Sequence, residues 1–339
     1  MKNRIQQLKD FAAKLALKVK SQKTVVIAAE VATILLILFG LVVVSMDAAP
    51  DDVAVDSIAE SDQQCDDCSE TEKVASEEEP IKAKSEDTKK DTAQTPQLTA
   101  LPFAKFDYQL GGEYGPPSGV KIVARDWYDS SKLPNNLYGV CYVNAFQTQP
   151  NDPDVKRIDE PSGWPASLVL KDIEDPNWEG ELLIDISTNT LRTKAAAHVT
   201  KMIETCASKG FQAVEFDNLD SYTRFKNLPF DKSDMISYAS MLVKAAHGAG
   251  LVAGQKNLAE LTSLGKKTIG FDFAVAEECA EYDECDAYTG VYGKKVMIIE
   301  YSKSGFNEAC AGFKNKAMII QRDLLLVPKG KSGYVFNSC

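Results

Sequence analysis

The chain has 339 residues, 44% of them apolar, and carries 38 Lys and Arg against 49 Asp and Glu, a formal net charge of −11. That apolar content can build a core, while the acid excess argues against nucleic acid as a partner, because a phosphate backbone demands basic patches. The charge is uneven, about +5 over residues 1–46, about −11 over 47–100 and about −5 over 101–339.

Residues 1–23 form a basic tail (Lys2, Arg4, Lys9, Lys14, Lys18, Lys20, Lys23). An apolar run follows over 24–46, broken only by Glu30. Its length suits a bilayer-spanning helix. The Lys-rich flank stays on the cytoplasmic side, which sends the rest of the chain to the periplasm or cell surface. The run is long and no small-x-small site follows it, so the reading is an uncleaved signal-anchor, with secretion after signal cleavage as the alternative. Residues 47–100 are acidic and poor in large apolar side chains, the composition of a disordered linker. Residues 101–339 are long enough for one large domain.

Eight cysteines suit an oxidising exterior. Cys279 and Cys285, six apart, are placed to staple a loop, and Cys310 with Cys339 to tie down the C-terminal tail. Cys141 and Cys206 either pair or stay as buried thiols. Cys65 and Cys68 form a Cys-x-x-Cys pair inside the acidic linker, where neighbouring carboxylates disfavour a thiolate. No further Cys or His stands near them to make a zinc site.

Across the domain, short apolar runs alternate with helix-like segments. Eight candidate strands are Val120–Ala124, Val140–Val143, Leu182–Ile184, Ala213–Phe216, Leu251–Ala253, Phe271–Ala276, Val296–Ile299 and Ala317–Ile320. Helices are predicted over Leu191–Lys209, Ser233–Ala249 and Leu258–Lys267; the first two show apolar residues at three-to-four spacing and are followed by Gly210 and Gly250 as C-terminal caps. The expected fold class is α/β, a TIM-like (β/α)8 barrel preceded by a single transmembrane helix and a disordered acidic tether.

Each candidate strand ends in polar groups. They are Arg125-Asp126-Trp127, Asn144, Asp185, Glu215 with Asp217 and Asn218, Gln255-Lys256-Asn257, Glu277-Glu278, Glu300-Tyr301 and Gln321-Arg322-Asp323. In a barrel these ends share one face, and that face holds the active site. The two histidines, His198 and His247, fall inside predicted helices, which argues against Ser-His or Cys-His nucleophiles and His-rich metal sites. Without a Gly-rich phosphate loop either, no cofactor or metal is expected. Carboxylate chemistry remains. The stretch Ala213-Val-Glu-Phe-Asp-Asn-Leu-Asp-Ser-Tyr222 crowds Glu215, Asp217 and Asp220 at a strand end. That crowding costs a fold stability but serves glycosidases, which work with paired carboxylates in different protonation states.

Several segments in order resemble glycoside hydrolase family 114, from about residue 103 to 339. They are Phe106-Asp-Tyr-Gln-Leu-Gly-Gly, Val140-Cys-Tyr-Val-Asn-Ala-Phe-Gln, Leu182-Leu-Ile-Asp-Ile-Ser, Gly210-Phe-Gln-Ala-Val-Glu-Phe-Asp-Asn-Leu-Asp-Ser-Tyr, Gly254-Gln-Lys-Asn, Phe271-Asp-Phe-Ala-Val-Ala-Glu-Glu-Cys and Val296-Met-Ile-Ile-Glu-Tyr. The resemblance implies an endo-α-1,4-polygalactosaminidase on a TIM-like barrel, with Asp217 and Glu277 at the positions of the family's catalytic pair. Phe216 stands where many members have Pro, and Ala276 where many have Asn.

On this reading Glu277 donates the proton and Asp217 is the nucleophile or base, with the exchanged roles as the alternative. Asp126, Asn144, Asp185, Glu215, Asn218, Asp220, Lys256, Glu278 and Glu300 tune the pair or bind substrate. Trp127, Tyr222, Tyr282 and Tyr301 are candidates for sugar stacking. The expected partner is a cationic galactosamine polymer, drawn to an acidic cleft. The competing readings are a non-catalytic carbohydrate-binding barrel and a glycosidase for another amino-sugar or galactan polymer. No feature of the sequence sets an oligomeric state.

Overall fold

The computed structural model describes residues 97–128, 130–149 and 163–339. The basic tail, the apolar run 24–46, all but the last four residues of the acidic stretch, and Cys65 and Cys68 lie outside them. Among the described residues no helix is long and apolar enough to cross a membrane.

The strands are β1 (Phe106–Tyr108), β2 (Ile122–Asp126), β3 (Tyr138–Asn144), β4 (Val169–Glu174), β5 (Leu182–Ile184), β6 (Ala213–Asp217), β7 (Val252–Lys256), β8 (Phe273–Glu277), β9 (Val296–Glu300), β10 (Met318–Arg322) and β11 (Phe336–Ser338). The helices are α1 (Asn189–Ser208), α2 (Ser221–Arg224), α3 (Lys232–Gly248), α4 (Cys285–Tyr292) and α5 (Lys303–Phe313). One sheet takes the order β1-β2-β3-β6-β7-β8-β9-β10-β11. All its neighbours are parallel except β11, which is antiparallel to β10. β4 and β5 form a separate antiparallel pair.

The sheet curls with two cores. Alternate residues (Ile122, Ala124, Val140, Ala213, Val252, Phe273, Val275, Met297, Ile299, Met318, Ile320) pack on the inside. The residues between them (Val123, Cys141, Val214, Phe216, Ala253, Ala274, Ala276, Ile298, Ile319) pack with the helices on the outside. Burial on both faces is why these strands read as continuous apolar runs. The curl brings β1 near β10, where the buried Arg322 donates to the Tyr108 carbonyl and pairs with Asp107 at 3.2 Å. Among the described residues no backbone ladder joins β1 to β10. The fold is therefore a curled, mostly parallel sheet with helices outside, of TIM-like type.

Three sequence-based expectations need correction. Leu182–Ile184 is a strand, but it pairs antiparallel with β4, outside the large sheet. Phe106–Tyr108, which the strand count passed over, is the sheet's first parallel strand. It is short and carries a buried acid, Asp107, satisfied by Gln109 and by Arg322 far along the chain. The helices over 191–209 and 233–249 form nearly as predicted. The third breaks into short turns over 259–269 of mixed helical winding.

Local chemistry explains the helix ends. Thr188 caps α1 by accepting from the Leu191 N–H, Asp231 and Asp234 form a capping box on α3, and Ser302 caps α5. Gly210 and Gly250 take φ of 88° and 81°, as helix-terminating glycines do.

Cys279–Cys285 and Cys310–Cys339 are disulfides, and so is Cys141–Cys206, which ties β3 to α1 across 65 residues. Replacing Cys141 and Cys206 together by Ala is expected to cost about 2–4 kcal/mol of unfolding free energy. Denaturant unfolding measures it; an unchanged midpoint would show that the bridge restrains nothing.

Candidate active site

The strand register lines up the C-terminal ends. Asn144 faces Asp217 across β3–β6, and Lys256 follows Gln255, the partner of Phe216, on β7. Side-chain alternation then decides which groups look inward. Ala213 is inside, so Glu215 and Asp217 are too; Val252 and Val275 send Lys256 and Glu277 the same way. These groups meet at a cavity of about 640 Å³.

At its floor sits Lys256, 2% exposed. Its Nζ lies 3.1 Å from Asp217 Oδ2, 3.2 Å from Glu277 Oε2 and 3.9 Å from Glu215 Oε1. Asp217 also accepts from the Tyr142 hydroxyl at 2.9 Å and from the Asn218 N–H at 2.7 Å. Glu277 accepts from the Tyr301 hydroxyl and from Asn257 Nδ2 at 3.1 Å. Both carboxylates are thus fixed from several sides yet keep partial exposure, 18% and 24%.

Three consecutive strands exit by left-handed residues, Asn218 (φ 63°), Asn257 (φ 50°) and Glu278 (φ 55°). Asn tolerates that region; Glu does so at a strain cost. The sharp exits put Asn218 N–H on Asp217 and Asn257 on both the N–H and the side chain of Glu277.

The electrostatics divide the acids. Burial pushes the Asp217 carboxyl up, but the Lys256 ammonium, the Asn218 N–H and the Tyr142 hydroxyl outweigh it and hold it below its ordinary value. Burial pushes the Lys256 ammonium down, and the three carboxylates around it more than reverse that. Glu215, fully buried under the pair, is lifted by burial to about 8 despite Lys256 and the hydroxyl it accepts from Tyr108. Glu181, on the cavity wall, is lifted to about 8 by burial and then by Asp217. Burial, then Glu277 and Glu281, raises Glu278.

Of the sequence-predicted residues, Asp126, Asp217, Asn218, Asp220, Lys256, Glu277, Glu278, Tyr282 and Tyr301 line the cavity. Asn144 stands behind the wall, donating to Glu181 at 3.1 Å and accepting from Asn218 at 2.9 Å. Glu215 lies beneath. Four others are elsewhere. Asp185 follows β5 of the small antiparallel sheet and accepts from the Ser187 N–H. Tyr222 on α2 packs half-buried against the outer core, as Trp127 does. Glu300 follows the inward Ile299 and so faces outward, where it accepts from the Ala280 N–H and is lifted by burial to about 7. Sequence reasoning missed Tyr142, Glu181 and Arg224. Tyr142 was legible, since it shares the inward alternation of Val140. Glu181 and Arg224 carry no local signal.

No curated protein matches this chain. Among solved structures, Ega3 of Aspergillus fumigatus, determined in complex with galactosamine, is 23% identical with a TM-score of 0.58, covering 72% of this chain and 99% of its own. The glycoside hydrolase domain of PelA from Pseudomonas aeruginosa is 12% identical with a TM-score of 0.44, covering 67% of this chain and 98% of its own. The Ega3 likeness supports the TIM-like fold. The model of glycoside-hydrolase family GH114 matches residues 86–339, most of the chain, which therefore belongs to that family and is a glycoside hydrolase.

Proposed function

We propose that the domain cleaves internal α-1,4 bonds of a galactosamine-rich polysaccharide, with Asp217 as nucleophile and Glu277 as proton donor. The observation that carries this reading is the shared ammonium: Asp217 Oδ2 and Glu277 Oε2 approach the same Lys256 Nζ at 3.1 and 3.2 Å, at an open cavity. Two oxygens that share one nitrogen at those distances can be no more than about 6.3 Å apart, which favours the close carboxyl spacing of retaining glycosidases (about 5–5.5 Å) over that of inverting ones (about 6.5–9.5 Å). Asp217, held ionised, suits attack on the anomeric carbon. The substrate class rests on family membership, on the galactosamine bound by Ega3, and on the acids around the cavity, which favour a cationic sugar.

Incubation with a partly deacetylated α-1,4 galactosamine polymer should release oligosaccharides whose new reducing ends are α at early times by proton NMR. Release of β ends would sink the retaining assignment, and no release would sink the substrate class. We further read the sheet as a TIM-like barrel with its seam between β10 and β1, spanned by Arg322. We place the domain on the extracytoplasmic side, anchored through residues 24–46, a reading supported by that apolar run and by three disulfides.

A further inference from the structure

The β4–β5 hairpin is an addition to the parallel sheet, and its turn reaches the cavity. Trp178 and Glu181, both on that turn, line it. Trp178 is 47% exposed, unusual for a residue that proteins tend to cover. The turn itself is built rigidly. Asp175, 1% exposed, accepts from Gln147 Nε2 at 3.0 Å, Arg224 Nη1 at 2.9 Å and the Asn177 N–H at 2.9 Å. Backbone bonds close it, Glu181 N–H to the Trp178 carbonyl at 3.0 Å and Asp175 N–H to the Glu181 carbonyl at 2.8 Å. Asn144 Nδ2 fixes the Glu181 carboxyl at 3.1 Å, and Asn144 is the register partner of Asp217. One anchored turn therefore presents an apolar ring face and a carboxyl on the wall that carries Asp217.

We propose that this turn is an amino-sugar subsite beside the scissile bond, in which Trp178 stacks on the C–H face of a sugar ring and Glu181 receives its ammonium group. The two parts of the ligand match the two parts of the turn. Aromatic faces bind apolar ring surfaces at little entropic cost, and a half-buried carboxyl gains most from a cation that arrives to ionise it. Burial and then Asp217 raise the Glu181 carboxyl, so an ammonium arriving beside it would favour its ionised form. An N-acetylated sugar offers the same ring face but no cation, so the turn distinguishes deacetylated from acetylated units. The proposal deepens the polysaccharide reading above and rests on it.

The test uses the full chain carrying Asp217→Asn to stop turnover, titrated with tetrasaccharides of galactosamine, N-acetylgalactosamine and glucosamine. Tryptophan fluorescence is a direct reporter, because the chain has three Trp, of which Trp164 is buried and Trp127 half-buried. Ligand is expected to change the emission, and Trp178→Ala to abolish that change and weaken calorimetric affinity about tenfold for amine and acetylated forms alike. Glu181→Gln is expected to weaken the amine forms about tenfold and leave the acetylated form within about twofold.

Unchanged affinities in both variants, equal loss of both forms in Glu181→Gln, or no binding of any of the three tetrasaccharides would overturn the subsite. Failure of the substrate reading looks different. The unmutated chain then releases nothing from galactosamine polymer, while the glucosamine tetrasaccharide still binds in a Trp178- and Glu181-dependent way, which supports the subsite.

Discussion

Asp217→Asn is expected to abolish polysaccharide cleavage, and Glu277→Gln to lower kcat by about 10²–10⁴-fold, with both proteins folded. The two losses differ in kind. An amide at 217 cannot form the glycosyl-enzyme bond, so no choice of leaving group restores the rate. An amide at 277 removes only the proton for the departing oxygen, so a substrate whose aglycone departs as a stable phenolate needs little help. Glu277→Gln should therefore cleave an aryl α-galactosaminide at a rate within about tenfold of the parent while failing on polymer. Asp217→Asn should fail on both. If the aryl substrate rescues Asp217→Asn instead, the two roles are exchanged. If either variant cleaves polymer at the parent rate, the assignment is wrong. The geometry favours the assignment as written, because Asp217 has the Lys256 ammonium, the Asn218 N–H and the Tyr142 hydroxyl to keep it ionised.

How much of this was legible beforehand can be judged element by element. β6 was clear, since Val214 and Phe216 are apolar between acids, and alternation puts Glu215 and Asp217 on one face. Depth was not legible. Glu215 is fully buried and Asp217 reaches the cavity, a difference made by two residues' rise along the strand and by Tyr108, which arrives from the distant β1. β1 itself gave no local signal, because its middle residue is an acid whose partner, Arg322, lies 215 residues away. Leu182–Ile184 looked like any barrel strand. Its partner is decided by contacts with Leu170 and neighbours, which short apolar runs do not encode. That misplacement also hid Glu181, whose backbone position comes from the hairpin. Glu300 is the opposite case: one step of alternation beyond Ile299 would have turned it away from the cavity.

The sequence places Lys256 among the residues that tune the pair or bind substrate. Its burial and its contacts make it the positioning charge of the site. Lys256→Met keeps much of the volume and removes the ammonium. Asp217 then has burial acting on it without its main counter-charge, and its carboxyl rises toward neutrality. The loss of a buried ion-pair partner is expected to cost about 3–5 kcal/mol at neutral pH.

The sign with pH follows from the direction of each shift. In the parent, Asp217 is depressed in the folded state, so its contribution to stability is present above its unfolded value and fades as pH falls through the folded one. In Lys256→Met it would be raised, so the folded state is least penalised at low pH and loses stability as pH rises past the unfolded value. Glu215, already lifted to about 8, acts in that same sense in both proteins, and losing Lys256 lifts it further. The difference in melting temperature between parent and Lys256→Met should therefore be larger at pH 7.5 than at pH 5. Activity should fall at least about a hundredfold at pH 5, with a smaller deficit at pH 7.5, because a raised Asp217 carboxyl loses its ionised, nucleophilic form as pH falls. Lys256→Arg, which keeps the charge but not the point geometry, should restore much of the stability and little of the rate. An equal melting deficit at both pH values would mean that Lys256 acts through packing alone.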